Sequence, residues 1–180
     1  YIKVGGQLLW LQDPDTDTAL SALAEQLEIK FAQGIIVDAD PNLRATLRIE
    51  HPATITVLQY NLHAINNKIP YNTLFMMAGS VDSSQPGNPQ WENTTLFSSR
   101  ESTWAETGTL LTETIEFNTE AGDTLGPLPM AVALERDAPF SQSSQQKQRV
   151  VVVADSDFLN NSYIGAGANL LLAQNIIRSE

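Results

Sequence analysis

The clearest feature of the hydrophobic pattern is an uninterrupted run of four valines at positions 150–153. Valine is β-branched, and no polar residue alternates within the run, which is the pattern of a strand covered on both faces of a sheet. The run ends before Asp155, and apolar residues at helical spacing follow over residues 169–177. This order of strand, loop and helix predicts half of a βαβ unit, with the valine strand in the interior of the sheet.

Other apolar runs predict shorter strands along the chain. We place these strands at residues 7–11, 34–37, 74–77, 94–98 and 130–134. Apolar residues at helical spacing predict a helix that begins after Thr16 or Asp17 and ends near Leu27. Residues 43–49 alternate roughly between apolar and polar.

The order of these elements predicts the fold class. Strands alternate with helical patterns early and late in the chain, and the middle has an antiparallel pattern. We therefore predict an α/β fold of three layers, with an open, mostly parallel sheet and a mixed or antiparallel edge, in a single domain over residues 1–180. Gly5-Gly6 closes a helical turn at the very start. A domain rarely begins inside a helix, so we expect an N-terminally truncated fold from a larger protein.

Charge and composition remove several classes of function. Ten basic against 21 acidic residues give a formal net charge of −11, which repels nucleic acid and anionic membrane surfaces. The absence of cysteine removes disulfides, thiolate zinc sites and a cysteine nucleophile, and we predict no cofactor. No apolar run approaches the roughly 20 residues that cross a bilayer. We therefore expect contact with a membrane only through segments outside residues 1–180.

Polar side chains follow several of the predicted strands. Asp13, Asp38 and Asp155 each stand just after one. Because open α/β sheets bind their ligands beyond the carboxyl ends of the strands, we predict that these loops share one rim, which forms a ligand or partner surface. The candidate residues of this surface are Asp13, Asp38, His51, Ser99, Ser102, Trp104, Asp155, Asp157 and Asn160.

Asp155 and Asp157 suggest a first alternative, a metal-assisted hydrolase. Two carboxylates two positions apart at a strand end can bind Mg²⁺ or Ca²⁺, and Asp13 and Asp38 are the only plausible donors of further ligands. The simpler interpretation is that Asp155 accepts hydrogen bonds from backbone N–H groups of its loop and that Asn160 braces the turn. We therefore predict no metal site.

Nucleophilic catalysis by serine is not predicted either. His51 and His63 are the only histidines, and Ser98, Ser99 and Ser102 lie near a strand end. A triad also needs a nucleophile elbow of the G-x-S-x-G type, which the sequence lacks. We therefore predict no catalytic residue.

Trp104 suggests a second alternative, a receptor for a sugar or a peptide. It stands with Ser102 and Glu106, and Trp91 is a further aromatic candidate. An exposed ring offers flat apolar area, and hydroxyls beside it set the orientation of a ligand. The simpler interpretation is that Trp104 seals one end of the sheet.

Four segments together resemble one protein family. The stretch VVVVADSDFLNNSYIGAGANLLLAQNII resembles the closing segment of that family, and GGQLLWLQDP, GIIVDAD and GPLPMAVALERD match it in order. On these segments the chain resembles the extracytoplasmic domain of auxiliary proteins of ABC-type transport systems, the gliding-motility-type family. The order of the four segments is more specific than any one of them.

The resemblance implies a sheet similar to those of class I glutamine amidotransferases or flavodoxins, and a short helix or turn over residues 53–60. It implies a periplasmic domain that is tethered to the membrane by helices outside residues 1–180. Its partners would be the membrane subunits or other auxiliary subunits of an ABC transporter, and no known reaction is implied. We therefore predict a noncatalytic auxiliary domain that binds a protein partner or an envelope polymer through its strand-end loops.

Overall fold

The computed structural model describes residues 1–14, 20–83, 90–110, 115–140 and 146–179. Within them the strands are, in chain order, β1 (Leu8–Leu11), β2 (Lys30–Phe31), β3 (Ile35–Val37), β4 (Thr54–Val57), β5 (Thr73–Met76), β6 (Val81–Asp82), β7 (Glu92–Ser98), β8 (Trp104–Glu106), β9 (Thr124–Leu125), β10 (Pro129–Asp137) and β11 (Lys147–Val153). The α-helices are α1 (Ser21–Gln26), α2 (Pro41–Leu47) and α3 (Asn169–Ser179), and 3-10 turns lie at Ile2–Val4, Ala64–Asn66, Thr119–Ala121 and Asp157–Leu159. The fold is mixed α/β and is dominated by its strands.

The valine run lies on β11, in the interior of the principal sheet. The strand order of this sheet is β1-β11-β10-β7, with β1 parallel and β10 antiparallel to β11. The four valines are no more than 2% exposed. Val150 and Val152 pack into one hydrophobic cluster, and Val151 and Val153 pack into another. The strand is therefore covered on both faces, and the prediction of an interior valine strand is confirmed.

Different elements cover the two faces of this sheet. The cluster on one face contains Phe75 of β5 and Leu172 of α3. The cluster on the other face contains Val81 of β6, and Leu23 of α1 packs against it. The principal sheet is thus the middle layer between two coverings.

Asn169 joins the start of α3 to β5. Its side chain is fully buried; Oδ1 accepts a hydrogen bond from Leu74 N–H at 2.9 Å, and Nδ2 donates to the Leu74 carbonyl at 2.8 Å. The amide therefore pairs with Leu74 as the backbone of a neighbouring strand would. The helix predicted over residues 169–177 is confirmed as α3.

The predicted mostly parallel arrangement is wrong. Of the seven strand pairings within the described residues, only that of β1 with β11 is parallel. β3 belongs to a small sheet of order β3-β8-β9, and among the described strands β5 pairs only with β4. An apolar run reports that a strand is buried, but it does not report the direction of the neighbouring strand, so the pairing directions could not be read from these runs.

Two elements in the first third of the chain also differ from the predictions. Residues 43–49 alternate roughly, yet most of them lie in α2, because the Asp40 carboxylate caps this helix by accepting hydrogen bonds from the N–H groups of Asn42 and Leu43. Residues 53–60 include strand β4, where the family resemblance implied a helix or turn. Both elements are short, and packing against neighbouring elements decides their structure.

The remaining predicted elements correspond to described ones. The strands predicted at residues 7–11, 94–98 and 130–134 are β1, β7 and β10. The start of the first predicted helix, at Thr16 or Asp17, lies outside the described residues. No helix in the described ranges has the length and apolar character needed to cross a membrane.

We predict that truncations on the two faces of β11 cost similar stability. Val151→Ala and Val152→Ala each remove two methyl groups from a buried position, and each should lower the free energy of unfolding by about 2 kcal/mol. Arg149→Ala, on the exposed part of the same strand, should cost well under half of that. Urea unfolding followed by circular dichroism measures all three variants. A large loss for only one of the two valines would show that one face of the strand is open.

Candidate functional site

The ends of β1 and β11 are joined by an aspartate and a serine. These strands run parallel and in register, so their carboxyl ends lie side by side. Asp13 and Ser156 follow these two ends in the chain. The Asp13 carboxylate accepts hydrogen bonds from Ser156 N–H at 2.6 Å and from Ser156 Oγ at 2.7 Å. Asp13 therefore fixes the loop that follows the valine strand.

Asp155 lies beside this link, in the interior. The residue is 1% exposed, and its Oδ1 accepts a hydrogen bond from Asp157 N–H at 2.6 Å. Its Oδ2 is buried and has no hydrogen-bond partner among the described residues. Burial, with the nearby negative charges of Asp157 and Asp13, raises the pKa of Asp155 to about 7, although the Asp157 N–H bond acts in the opposite direction. The carboxyl group is therefore a neutral acid over most of the acidic range.

Asp157 and Asn160 brace the turn that follows. Asn160 Nδ2 donates to Asp157 Oδ1 at 2.9 Å, and Asn160 Oδ1 accepts hydrogen bonds from the N–H groups of Ser162 and Tyr163. Across the residues that the structure describes, no group of three or more histidine or acidic side chains has an arrangement that could hold a metal ion. The carboxylates of this loop bind backbone and side-chain donors, as the simpler interpretation of the motif expects.

A second polar group forms around Arg100, in the loop after β7. Arg100 Nη2 lies 2.7 Å from Asp38 Oδ2 and 3.3 Å from Asp40 Oδ2, and Arg100 Nε donates to Asp38 Oδ2 at 3.1 Å. The Asp38 side chain is only 4% exposed. Burial acts to lower the pKa of Arg100, but the hydrogen bonds and charges of the two aspartates outweigh it and raise the pKa. Asp38 is thus a buried anchor for this loop.

Arg100 and Asp40 are absent from the predicted surface. The signal for Arg100 is its position: it is a cation within the serine-rich run that follows a strand end. The signal for Asp40 is the proline that follows it, because an aspartate before Pro41 is a common helix start. An isolated Arg at a strand end is a natural partner for two aspartates elsewhere in the chain, but the sequence does not tell which aspartates it meets.

Arg100 lies on the wall of a groove of about 580 Å³. The groove is lined by Leu58, Gln59, Asn61, Ser98, Ser99, Arg100, Glu101, Ser102 and Pro127. Ser99 is buried; its Oγ accepts a hydrogen bond from Leu128 N–H at 2.9 Å and lies 2.7 Å from Thr103 Oγ1. Ser102 is exposed. Neither histidine of the chain lines this groove, so its serines have no adjacent base.

His51 lies in the turn before β4. It is exposed, and its Nδ1 accepts a hydrogen bond from Ala53 N–H at 3.1 Å. In the same turn the Pro52 carbonyl accepts from Asp38 N–H at 2.8 Å, and the Ala53 carbonyl accepts from Met77 N–H at 2.9 Å. The turn therefore connects the end of β3 with the end of β5.

Trp104 lies in the interior. It is 7% exposed, its indole N–H donates to Glu106 Oε2 at 3.0 Å, and its ring meets Phe117 edge to face at 6.3 Å. Trp91 is 2% exposed, and its indole N–H donates to the Gln26 carbonyl. Neither ring offers a flat surface to a sugar, so the proposed receptor site around Trp104 has no platform in this structure.

The predicted rim residues fall into two hydrogen-bonded groups. Asp13, Asp155, Asp157 and Asn160 form one group, and Asp38, Ser99 and Ser102 belong to the Arg100 loop, with His51 in the turn beside Asp38. Most of these side chains are engaged in internal hydrogen bonds. The groove beside Ser102 is an open surface next to the second group.

The family of the chain is established by comparison. A family model described as an ABC-type uncharacterized transport system matches residues 1–176. The chain belongs to this family and is thereby an auxiliary component of an ABC-type transport system. The resemblance of the four segments to auxiliary proteins of ABC-type transport systems is confirmed. No curated protein matches the chain.

The fold is shared with known structures. The chain is similar to the mmIFT52 N-terminal domain, with a TM-score of 0.66 and 11% sequence identity over 99% of this chain. The chain spans 66% of the length of that domain. At this identity the similarity shows the fold alone.

We predict that Asp155 makes stability depend on pH. The unfolded chain holds this proton only to about pH 4, whereas the folded chain holds it to about pH 7. The stabilisation that the proton provides is therefore complete below about pH 4 and is lost as the pH rises to about 7. Asp155→Asn resembles the neutral acid at every pH, so it should be more stable than the wild type at pH 8, by up to about 4 kcal/mol.

Thermal unfolding from pH 4 to pH 8 measures this difference. The melting temperatures of wild type and Asp155→Asn should converge at the acidic end and separate towards neutrality. Glu120→Gln, at an exposed position in another loop, is the control and should not reproduce the separation. A constant difference between wild type and Asp155→Asn across this range would show that Asp155 does not titrate within it.

We also predict that Arg100 stabilises the fold through Asp38. Arg100→Ala leaves a buried carboxylate without its partner, so it should lower the free energy of unfolding by about 2 kcal/mol or more. The double variant Arg100→Ala with Asp38→Asn removes the orphan charge and should recover part of this loss. Urea unfolding of both variants measures the effect. Equal losses of stability in the single and double variants would show that the unpaired Asp38 carboxylate is not the cause of the loss.

Proposed function

We propose that this chain is a noncatalytic extracytoplasmic domain that binds another subunit of its ABC-type transport system through strand-end loops. The observation that carries the proposal is the groove beside Ser102. This groove combines an apolar side chain with polar side chains on a loop that internal hydrogen bonds hold in place. Leu58 is 50% exposed beside it, and Ser102 and Glu101 are exposed on the opposite loop. An apolar anchor within a polar rim is typical of surfaces that bind proteins.

The loop that contains Ser102 is fixed by contacts within this chain. Arg100 ties it to Asp38, whose side chain is buried, and Ser99 is bonded to Leu128 N–H. A loop that is already ordered loses less conformational entropy on binding. The ordered loop therefore favours a binding surface that exists before the partner binds.

The internal hydrogen bonds of the other candidate residues support a noncatalytic role. Asp13 and Asp155 bind donors of their own loop, and Ser99 lines a groove that contains no histidine. The alternative of a metal-assisted hydrolase would need Asp155 and Asp157 to bind an ion, whereas Asp155 Oδ2 is enclosed by protein atoms. The receptor alternative would need an exposed Trp104, which is buried.

The proposal includes four further points. They are a periplasmic location, a membrane tether outside residues 1–180, a gliding-motility type of transport system, and a sheet similar to those of class I glutamine amidotransferases or flavodoxins. Their support is the family membership of residues 1–176. The formal net charge of −11 is compatible with a domain that stays clear of anionic membrane surfaces and meets its partner through protein contacts.

Photocrosslinking from single cysteines tests the proposed surface. Because the chain contains no cysteine, Ser102→Cys carries the sole thiol and can be labelled with a benzophenone maleimide. In membranes that hold the complete transport system, we expect Ser102→Cys to give a crosslink to another subunit of the system. Gln174→Cys, exposed on α3, is the control and should give none.

The crosslinked product is identified by mass spectrometry. A crosslink of equal yield from both cysteines, or none from Ser102→Cys in assembled membranes, would contradict a partner at the groove. Adding Leu58→Asp to the Ser102→Cys variant should abolish the product, since it places a charge at the apolar anchor.

A further inference from the structure

The groove of about 580 Å³ has apolar side chains on two separate segments of the chain. Leu58 is 50% exposed, Pro127 is exposed, and both line the groove. Asn61 Nδ2, close after Leu58, donates to the backbone of β7 at 2.7 Å. Gly126 N–H, just before Pro127, donates to the Thr103 carbonyl at 2.8 Å. Contacts within the chain therefore fix both apolar positions.

The charges at this groove are mostly negative. Among the residues that line it, Arg100 and Glu101 carry the charges. The Arg100 guanidinium already has two partners, because its Nη2 lies 2.7 Å from Asp38 Oδ2 and 3.3 Å from Asp40 Oδ2. Two carboxylates more than neutralise its positive charge within the chain.

Glu101 differs from Arg100 in its contacts. It is exposed, and its carboxylate makes no hydrogen bond or ion pair with any described residue. The turn that contains it is closed by Thr103 N–H, which donates to the Arg100 carbonyl at 3.2 Å. The groove therefore combines fixed apolar side chains with a carboxylate that has no partner in the described part of the chain.

We infer that the groove takes a segment of a partner polypeptide in which a lysine or arginine pairs with Glu101 and an adjacent apolar side chain packs on Leu58 and Pro127. The long stem of a basic side chain packs along apolar surface while its charged end reaches a carboxylate. Complementary charge selects the partner, and an acidic segment is repelled both at the groove and by the formal net charge of −11. This inference rests on the proposed function, since it names the chemistry of the partner at the same groove.

Variants of Glu101 test the charge pair. The benzophenone label is placed on Gln59→Cys, at another exposed position of the groove, so that position 101 is free for substitution. In membranes that hold the complete transport system, Glu101→Gln should lower the yield of the crosslink to another subunit about two- to fivefold. Glu101→Lys should lower the yield about tenfold or more, because it places like charges together. Glu120→Lys, the same change of charge at an exposed position in another loop, should leave the yield unchanged.

Two further measurements identify the pair. Raising NaCl from about 0.1 M to about 1 M should lower the yield when Glu101 is present and should have little effect in Glu101→Gln, since salt screens exposed charges. Mass spectrometry of the crosslinked product locates the partner segment, which should contain a lysine or arginine next to an apolar residue. Changing that basic residue to glutamate should restore the crosslink to Glu101→Lys.

The possible outcomes separate this inference from the proposed function. The absence of any crosslink from Gln59→Cys with Glu101 in place would contradict both. A crosslink of equal yield with glutamate, glutamine and lysine at position 101, in variants of equal melting temperature, would overturn the basic partner segment alone. A crosslinked segment without lysine or arginine would overturn it as well and would leave the groove as a binding surface of another chemistry.

Discussion

Burial of β11 on both of its faces is the constraint on which the rest of the structure depends. Alternate valines of the strand enter two separate hydrophobic clusters, and full burial of such a side chain contributes about 1.5–3 kcal/mol. A strand with two apolar faces needs a layer on each side and a neighbour on each edge. The positions of α3 and β5 on one face, and of α1 and β6 on the other, follow from this need.

The polar contacts at the strand ends follow from the same arrangement. β1 and β11 run parallel and in register, so Asp13 reaches the first residues of the loop after the valines. Where polar groups are buried, the chain supplies partners from distant positions, as Arg100 does for Asp38 and Asn169 does for Leu74. The contact of Arg100 with Asp38 holds the loop that forms one wall of the groove.

The interior position of the valine strand could be predicted from its sequence, because an unbroken β-branched run reports burial directly. The direction of its neighbours could not, since the choice between parallel and antiparallel pairing depends on how the intervening segments pack. α2 could have been predicted, because Asp40 followed by Pro41 is a common helix start, but the rough alternation of residues 43–49 gives no helical period. The burial of Trp104 and the partners of Arg100 depend on residues far away in the chain, and neither local periodicity nor spacing contains that information.

The strand at the centre of the sheet is the last strand among the described residues. β1 pairs with residues more than 130 positions later, since Leu8 lies opposite Val150. Such contacts close very long loops, and a fold dominated by them forms slowly. During synthesis the N-terminal strand emerges from the ribosome long before its partner does. The domain therefore stays incomplete until the segment that contains β11 has been synthesised.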